Sequence, residues 1–199
     1  MINYAGNSIA VVENFYSEDE LNLIWKELEF YQGKFLSSEF TEPAFIEGTN
    51  ISKKQNKGLF LDQLYSPNKR HISNILTLNT KIFDIEFRQK LIQLSPMFRV
   101  VDKCNQDSTL LSYYEDSDYY KAHTDSSAMT ILSYFFKKPK SFKGGNIRFC
   151  DFDTTIEVKN NMLIFFPGVY EHEVDTIKMK EKDLNKNLGR YCMAQFLKS

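Results

Sequence analysis

The sequence predicts a mainly β fold with supporting helices, its N-terminal part helical and its C-terminal part a β sandwich or barrel. Three observations carry that prediction. From Ser108 onward, short runs rich in β-branched and aromatic residues alternate with turn residues, over 110–114, 129–136, 146–149, 155–158, 162–166, 170–176 and 189–197, a texture typical of all-β cores. Before that point apolar residues recur at helical spacing instead. The 199-residue chain also holds 17 Phe and 11 Tyr, ample material for a core that needs no staples. One domain over 1–199 is expected, with 1–107 as helical support and lid region and 108–199 as the β core.

The elements follow in order. Ser8 to Val12 reads as a short strand. Ser17 and Glu20 form a capping box, S-x-x-E, and Leu21, Ile24, Trp25 and Leu28 then share one helical face. Residues 37–58 are polar and aperiodic, so a long loop or irregular hairpin is expected there. Long loops in compact domains are often lids. Ser66-Pro67 starts a helix that continues through Ile72, Ile75 and Leu76. A second helix is expected over 79–94, with Phe83, Phe87 and Leu91 on one stripe. No internal repeat or linker interrupts the chain.

Charge and cysteine usage exclude several classes. Lys plus Arg number 25 and Asp plus Glu 26, a net charge of -1, which gives no general pull toward nucleic acid or an anionic membrane. The cluster Lys137, Lys138, Lys140 and Lys143 reads as a solvated loop. Cys104, Cys150 and Cys192 are few, odd in number and lack a CxxC pair, so no zinc knuckle is expected and a reducing, cytoplasmic setting is. Residues 1–12 show no signal-peptide pattern and no run approaches the ~18 apolar residues of a membrane span. Nothing bears on oligomeric state.

The chemistry gathers around two of the three histidines. In extended backbone, residues two apart face the same way, so His123 and Asp125 can grip one ion while Thr124 points away. The only good third donor is His172, 49 residues later. Two imidazoles and one carboxylate on one face form the facial triad of non-haem Fe(II) oxygenases. An H-x-D pair alone is weak; it gains weight from a co-substrate site. Arg190 supplies one: it opens the last strand and shares a face with Cys192, Ala194 and Phe196. A guanidinium on a small, largely apolar wall suits a buried carboxylate, although an exposed Arg at a strand start is an equally good reading. His71, beside Lys69 and Arg70, reads as a surface residue, as does Arg148. Glu171 and Glu173 flank His172 and are expected on the opposite face.

The segment from Tyr114 to Asp125 resembles the metal-binding entry strand of the prolyl 4-hydroxylase-like Fe(II)/2-oxoglutarate oxygenases, in which tyrosines stand nine and three positions before the first His, as Tyr114 and Tyr120 do here. The run 129–136, the Gly144-Gly145 turn with Ile147 and Phe149, the apolar run 163–167, His172-Glu173-Val174 and Arg190-Tyr191 follow in the family's order. The likeness covers roughly 108–197. It departs in three places: Asp116 and Ser117 stand where relatives often carry Gly, 18 residues separate His172 from Arg190 across a lysine-rich stretch, and Cys192 replaces a frequent Ser or Thr.

The resemblance implies a double-stranded β-helix, a jelly-roll variant, using Fe(II), 2-oxoglutarate and O2. Iron would sit on His123, Asp125 and His172. The far carboxylate of 2-oxoglutarate would pair with Arg190, assisted by Tyr114 or Tyr134; Tyr113 remains open, because one residue of register exchanges the faces. The expected activity is hydroxylation of a C–H bond on a peptide or small molecule, such as a prolyl or other amino-acid side chain. Two rival readings are a jelly-roll module that binds a small molecule without redox chemistry and an oxygenase of nucleic-acid bases. The second wants a basic groove and usually another Arg in the last strand, whereas this chain is near neutral and has only Arg190 there.

Overall fold

A computed structural model of the chain describes residues 2–41 and 44–199. The N-terminal half runs β1 (Ile2–Tyr4), β2 (Ala10–Glu13), α1 (Glu18–Tyr31), β3 (Leu36–Ser37), β4 (Lys54–Gln55), β5 (Lys57–Phe60), α2 (Leu61–Leu64), α3 (Asn74–Leu78) and α4 (Ile85–Leu94). The C-terminal half is almost wholly β: β6 (Gln106–Tyr114), β7 (Tyr119–His123), β8 (Met129–Phe135), β9 (Phe142–Lys143), β10 (Ile147–Phe149), β11 (Thr154–Ile156), β12 (Met162–Pro167), β13 (His172–Val174), β14 (Lys178–Met179) and β15 (Arg190–Lys198).

These strands make two facing sheets. The larger has the order β1-β2-β12-β8-β15-β6-β5-β3 and the smaller β11-β10-β13-β7-β4, while β14 and β9 pair apart. All pairings are antiparallel. Strands adjacent in the larger sheet are distant in sequence, as β12, β8, β15 and β6 show, which is the jelly-roll pattern of connections. Strands β2 and β5 enter this sheet from the N-terminal half, so that half supplies both helices and part of the β framework.

Side-chain parity sorts the core into layers. On β6, β8 and β15 the residues Tyr114, Leu132, Tyr134, Cys192 and Ala194 face the smaller sheet and meet Phe149, Ile164 and Phe166. The alternate residues Leu111, Tyr113, Phe135, Tyr191 and Met193 face outward, where Ile24, Leu28 and Tyr31 of α1 cover them. Around Ile131, Phe165 and Leu197 the cover comes from Ile82, Leu91 and Phe98. With both faces covered, every residue of β8 is buried, and such strands read as nearly continuous apolar runs.

Local chemistry accounts for the helices. Both bonds of the capping box form at α1: Ser17 N–H donates to Glu20 Oε2 at 2.8 Å and Glu20 N–H to Ser17 Oγ at 3.3 Å. One polar residue of α1 turns inward. Buried Glu27 accepts from Tyr31 Oη at 2.9 Å, Ser73 Oγ at 2.5 Å and Ile75 N–H at 2.9 Å, which ties α1 to the start of α3. The single helix expected over 79–94 is divided into a 3-10 turn, Asn79–Phe83, and α4. The cause is Asp84, extended at ψ 135, whose carboxylate caps α4 by accepting from Phe87 N–H at 3.0 Å. Likewise Pro67 opens a 3-10 segment, Pro67–Ile72, before α3. Of the two forms expected for 37–58, the structure has the irregular hairpin: Phe45 bridges Ser52 antiparallel, and the segment contains β4 and part of β5. Residues 42 and 43 of that expected lid lie outside the described residues. Strands of two residues leave no periodicity to detect, which is why sequence reading passes over them. Among the described residues no helix is long and apolar enough to cross a membrane.

Candidate metal centre and its anion clamp

The smaller sheet brings the three candidate ligands together. His123 ends β7 and His172 begins β13, and the two are direct antiparallel partners. Asp125 stands just past the end of β7, where its N–H donates to the Gly168 carbonyl at 2.8 Å. One ligand atom from each residue lies within 4.8 Å of the others. His123 Nε2 is 3.9 Å from Asp125 Oδ1, and His172 Nε2 is 3.6 Å from Asp125 Oδ2.

Both imidazoles are held in the orientation a metal needs. His123 Nδ1 lies 2.9 Å from the Lys121 carbonyl and His172 Nδ1 2.9 Å from the Tyr170 carbonyl. A carbonyl oxygen only accepts, so each Nδ1 carries a proton and Nε2 is the nitrogen of each ring turned toward Asp125. Tyr120 stacks on His123 with ring centroids 3.5 Å apart, and Phe166 meets His172 edge-on at 4.9 Å. Burial, and then the neighbouring His172, push His123 down to about 3, so its ring stays neutral at ordinary pH.

That shift has a sign. The folded value lies below the unfolded value of about 6.5, so the unfolded chain takes the proton first. The stability tied to His123 is whole above pH ~6.5 and is lost as pH falls toward the folded value. Urea unfolding of metal-free protein is expected to lose up to about 1.4 kcal/mol per pH unit from this one proton across that window. His123→Gln should flatten this part of the profile; an unchanged slope in the variant would show that other groups set it.

Gly168 lets the Asp125 turn close. A Cβ on it would stand 2.3 Å from the Ser127 carbonyl oxygen and 3.1 Å from that of Asp125, both rigid main-chain atoms. Gly168→Ala is expected to displace the turn at a cost of about 1–3 kcal/mol and to weaken Zn(II) uptake. Uptake equal to wild type would mean that the turn tolerates the shift.

The larger sheet supplies the opposite end of the pocket. Arg190 is fully buried. Its Nη1 donates to the Gly145 carbonyl at 2.7 Å, while among the described residues Nε, Nη2 and the buried Tyr134 hydroxyl form no well-aligned hydrogen bond, the phenol and the guanidinium being near neighbours. The guanidinium lies 4.2 Å from the Tyr114 ring centroid and 5.1 Å from that of Tyr134. Burial raises both phenols, which stay protonated and able to donate. Gly145, at φ +72, makes the clamp possible: a Cβ there would press 3.0 Å from Ile177 and 3.4 Å from Arg190 Cδ. Burying a cation without a countercharge is costly, and among the described residues no carboxylate pairs with Arg190. The donor set of two imidazoles and a carboxylate, with a buried cation still owed an anion, fits Fe(II) and a dicarboxylic co-substrate.

All the expected site residues therefore line one pocket: His123, Asp125, His172, Arg190, Tyr114 and Tyr134. Cys192, Ala194 and Phe196 share its wall with Arg190, as their parity predicts. Tyr113 faces the other way and its hydroxyl approaches Glu115 Oε1 at 3.3 Å. His71 is exposed, and Arg148 pairs with Asp153 at 2.9 Å and Glu173 at 3.0 Å. Sequence reading missed Lys54 and Ser112, which also line the pocket. Lys54 arrives because β4 pairs with β7, placing it opposite Tyr120, and its ammonium donates to the Thr41 carbonyl. A lysine in a polar stretch gives no sign of this inward turn.

Residues 109–198 match the 2OG-Fe(II) oxygenase superfamily. The uncharacterized PKHD-type hydroxylase sll0191 of Synechocystis sp. is 30% identical over 86 residues, 34% of this chain and 28% of that protein. The match therefore spans well under half of that relative's length. A prolyl-4-hydroxylase of Pseudomonas putida superposes with a TM-score of 0.61 at 13% identity, covering 98% of this chain and 95% of its own. NgTET1, solved in complex with 5mC DNA, gives 0.58 at 16% identity, with 96% of this chain and 72% of its own covered. At these identities the structural likeness is one of fold.

Proposed function

We propose that this chain, whose residues 109–198 match the 2OG-Fe(II) oxygenase superfamily, is an Fe(II)- and 2-oxoglutarate-dependent dioxygenase that hydroxylates a C–H bond. The reading is carried by one observation: a His-Asp-His cluster and a buried, under-bonded Arg190 stand at two ends of the same pocket between the sheets. When bound, iron and 2-oxoglutarate supply an oxidant that replaces C–H by C–OH, with O2 consumed and succinate and CO2 released.

The protein's own residues bind and orient. His123, Asp125 and His172 would hold Fe(II). Arg190 would pair with the far carboxylate of 2-oxoglutarate through Nε and Nη2, with the Tyr134 hydroxyl donating and Tyr114 supporting the guanidinium from its ring face. The wall of Leu110, Leu132, Ala194 and Phe196 excludes water, which strengthens each charged contact inside.

The substrate we infer is a prolyl or other amino-acid side chain, in a peptide or as the free amino acid. NgTET1 shares the fold and was solved with DNA. Here, however, the net charge is -1 and β15 carries one Arg, which favours a substrate less anionic than nucleic acid. Anaerobic addition of Fe(II) and 2-oxoglutarate tests the reading. A weak visible charge-transfer band that requires both additions is expected, followed by succinate release in air. No band and no succinate would overturn it.

A further inference from the structure

Asp125 is the candidate ligand that no strand holds. Its main chain is fixed by the 2.8 Å bond to Gly168, which leaves the carboxylate to be oriented from elsewhere. Each of its oxygens faces an imidazole nitrogen at a similar distance, 3.9 Å for Oδ1 and 3.6 Å for Oδ2. The two histidines therefore do not choose between a grip through one oxygen and a grip through both.

Thr130 breaks that symmetry. Its Oγ1 donates to Asp125 Oδ2 at 2.6 Å and lies 2.7 Å from Ser127 Oγ. A carboxylate only accepts, and a threonine hydroxyl has one proton. With that proton committed to Asp125, Ser127 must be the donor to Thr130. The chain Ser127 to Thr130 to Asp125 thus runs in one direction, ends on an anion and gains strength along its length. Both hydroxyl residues are buried, Thr130 at 0% and Ser127 at 5% exposure, so water is a poor substitute for either.

We propose that Thr130, backed by Ser127, sets the orientation of the Asp125 carboxylate at the metal, its hydrogen bond holding Oδ2 and leaving Oδ1 the freer oxygen. The inference rests on the metal reading above and extends it. A facial triad leaves three positions open only while its carboxylate uses one oxygen; a two-oxygen grip would take a position that 2-oxoglutarate or O2 needs. Thr130 shares its strand face with Leu132 and Tyr134. Strand β8 therefore orients the metal end of the pocket at one residue and meets the Arg190 clamp four residues later, about 13–14 Å along the strand. Thr130 acts through Asp125 and is a positioning residue.

The test uses Co(II)-loaded full-length protein. Thr130→Val keeps the volume and removes the hydroxyl, while Thr130→Ser restores it. The visible Co(II) spectrum and its titration with 2-oxoglutarate are measured, with thermal unfolding of the metal-free proteins alongside. Thr130→Val is expected to shift the Co(II) bands and weaken 2-oxoglutarate binding about 10–100-fold, and Thr130→Ser to return both to wild-type values. Wild-type spectra and affinity in Thr130→Val overturn the relay. If Thr130→Val does not fold, Ser127→Ala decides: a shift of the same sign and smaller size supports the relay, and no shift overturns it. Wild-type protein that takes up no Co(II) overturns the metal reading and the relay with it, whereas normal uptake with unaltered variants removes the relay alone.

Discussion

Replacing His172 with alanine is expected to abolish metal uptake while leaving the fold in place. His172 contributes one of the three candidate ligands found among the described residues, so its loss should cost more than the roughly 10–100-fold that follows loss of an outer-sphere partner. Zn(II) or Co(II) titration reads this directly, and succinate release should fall to background. A second consequence separates loss of the site from loss of the fold. The His172 ring, its centroid 4.2 Å from that of His123, helps to hold His123 down to about 3. Without it, His123 in the metal-free variant should titrate at higher pH than in wild type, though still below a free histidine, because burial is the larger cause. NMR titration of the His123 ring checks the direction. Retained stoichiometric metal would sink the triad assignment.

Arg190→Met should act on ligand binding and on stability with opposite signs. The guanidinium is wholly buried and donates to the Gly145 carbonyl, while among the described residues Nε and Nη2 form no well-aligned hydrogen bond. Without a bound anion, the protein bears the desolvation cost of an unpaired charge. A methionine of similar reach removes that cost; replacing whole buried ion pairs by apolar residues is neutral or stabilising by about 1–4 kcal/mol, and an unpaired cation has no pair attraction to lose. The orphaned Gly145 carbonyl returns about 1 kcal/mol of that gain. Urea unfolding of the ligand-free variant is therefore expected to show a net gain. In the metal-loaded protein, 2-oxoglutarate affinity should fall by at least about 30-fold, the lower end for losing one member of a buried charge pair. The stabilisation that 2-oxoglutarate gives wild type should vanish with it. A variant that is less stable and still binds 2-oxoglutarate would mean that Arg190 serves the fold alone.

The two substitutions probe opposite walls of one pocket, and this division explains how a jelly roll serves such a site. The smaller sheet carries the two histidines, the larger sheet carries Arg190, Tyr114 and Tyr134, and neither sheet holds a complete site. Their spacing is set by the packing of Phe149 and Ile164 with Phe166 and Leu132. Packed interiors resist compression, so the gap between the His-Asp-His cluster and Arg190 is held by the core and not by a mobile loop.

The sequence by itself determined much of what depends on neighbours along the chain, although sequence reading passes over the Asp84 cap that divides the helix expected over 79–94. Parity puts Arg190 on a face with Cys192, Ala194 and Phe196, and the Ser17–Glu20 box starts α1. These are consequences of backbone geometry and need no partner strand. Only the tertiary structure decided what depends on pairing across the chain. It placed Tyr114 in the pocket and Tyr113 outside it, because β6 pairs with β15 in the register that sets Arg190 opposite Tyr114, and a one-residue slip would have exchanged them. It turned Glu27 and Lys54 inward, gave Asp125 its hydroxyl partner five residues along the chain, and left Arg190 without a countercharge among the described residues. Burial and hydrogen-bond satisfaction are properties of the packed assembly, and a residue's identity does not specify which neighbours will surround it.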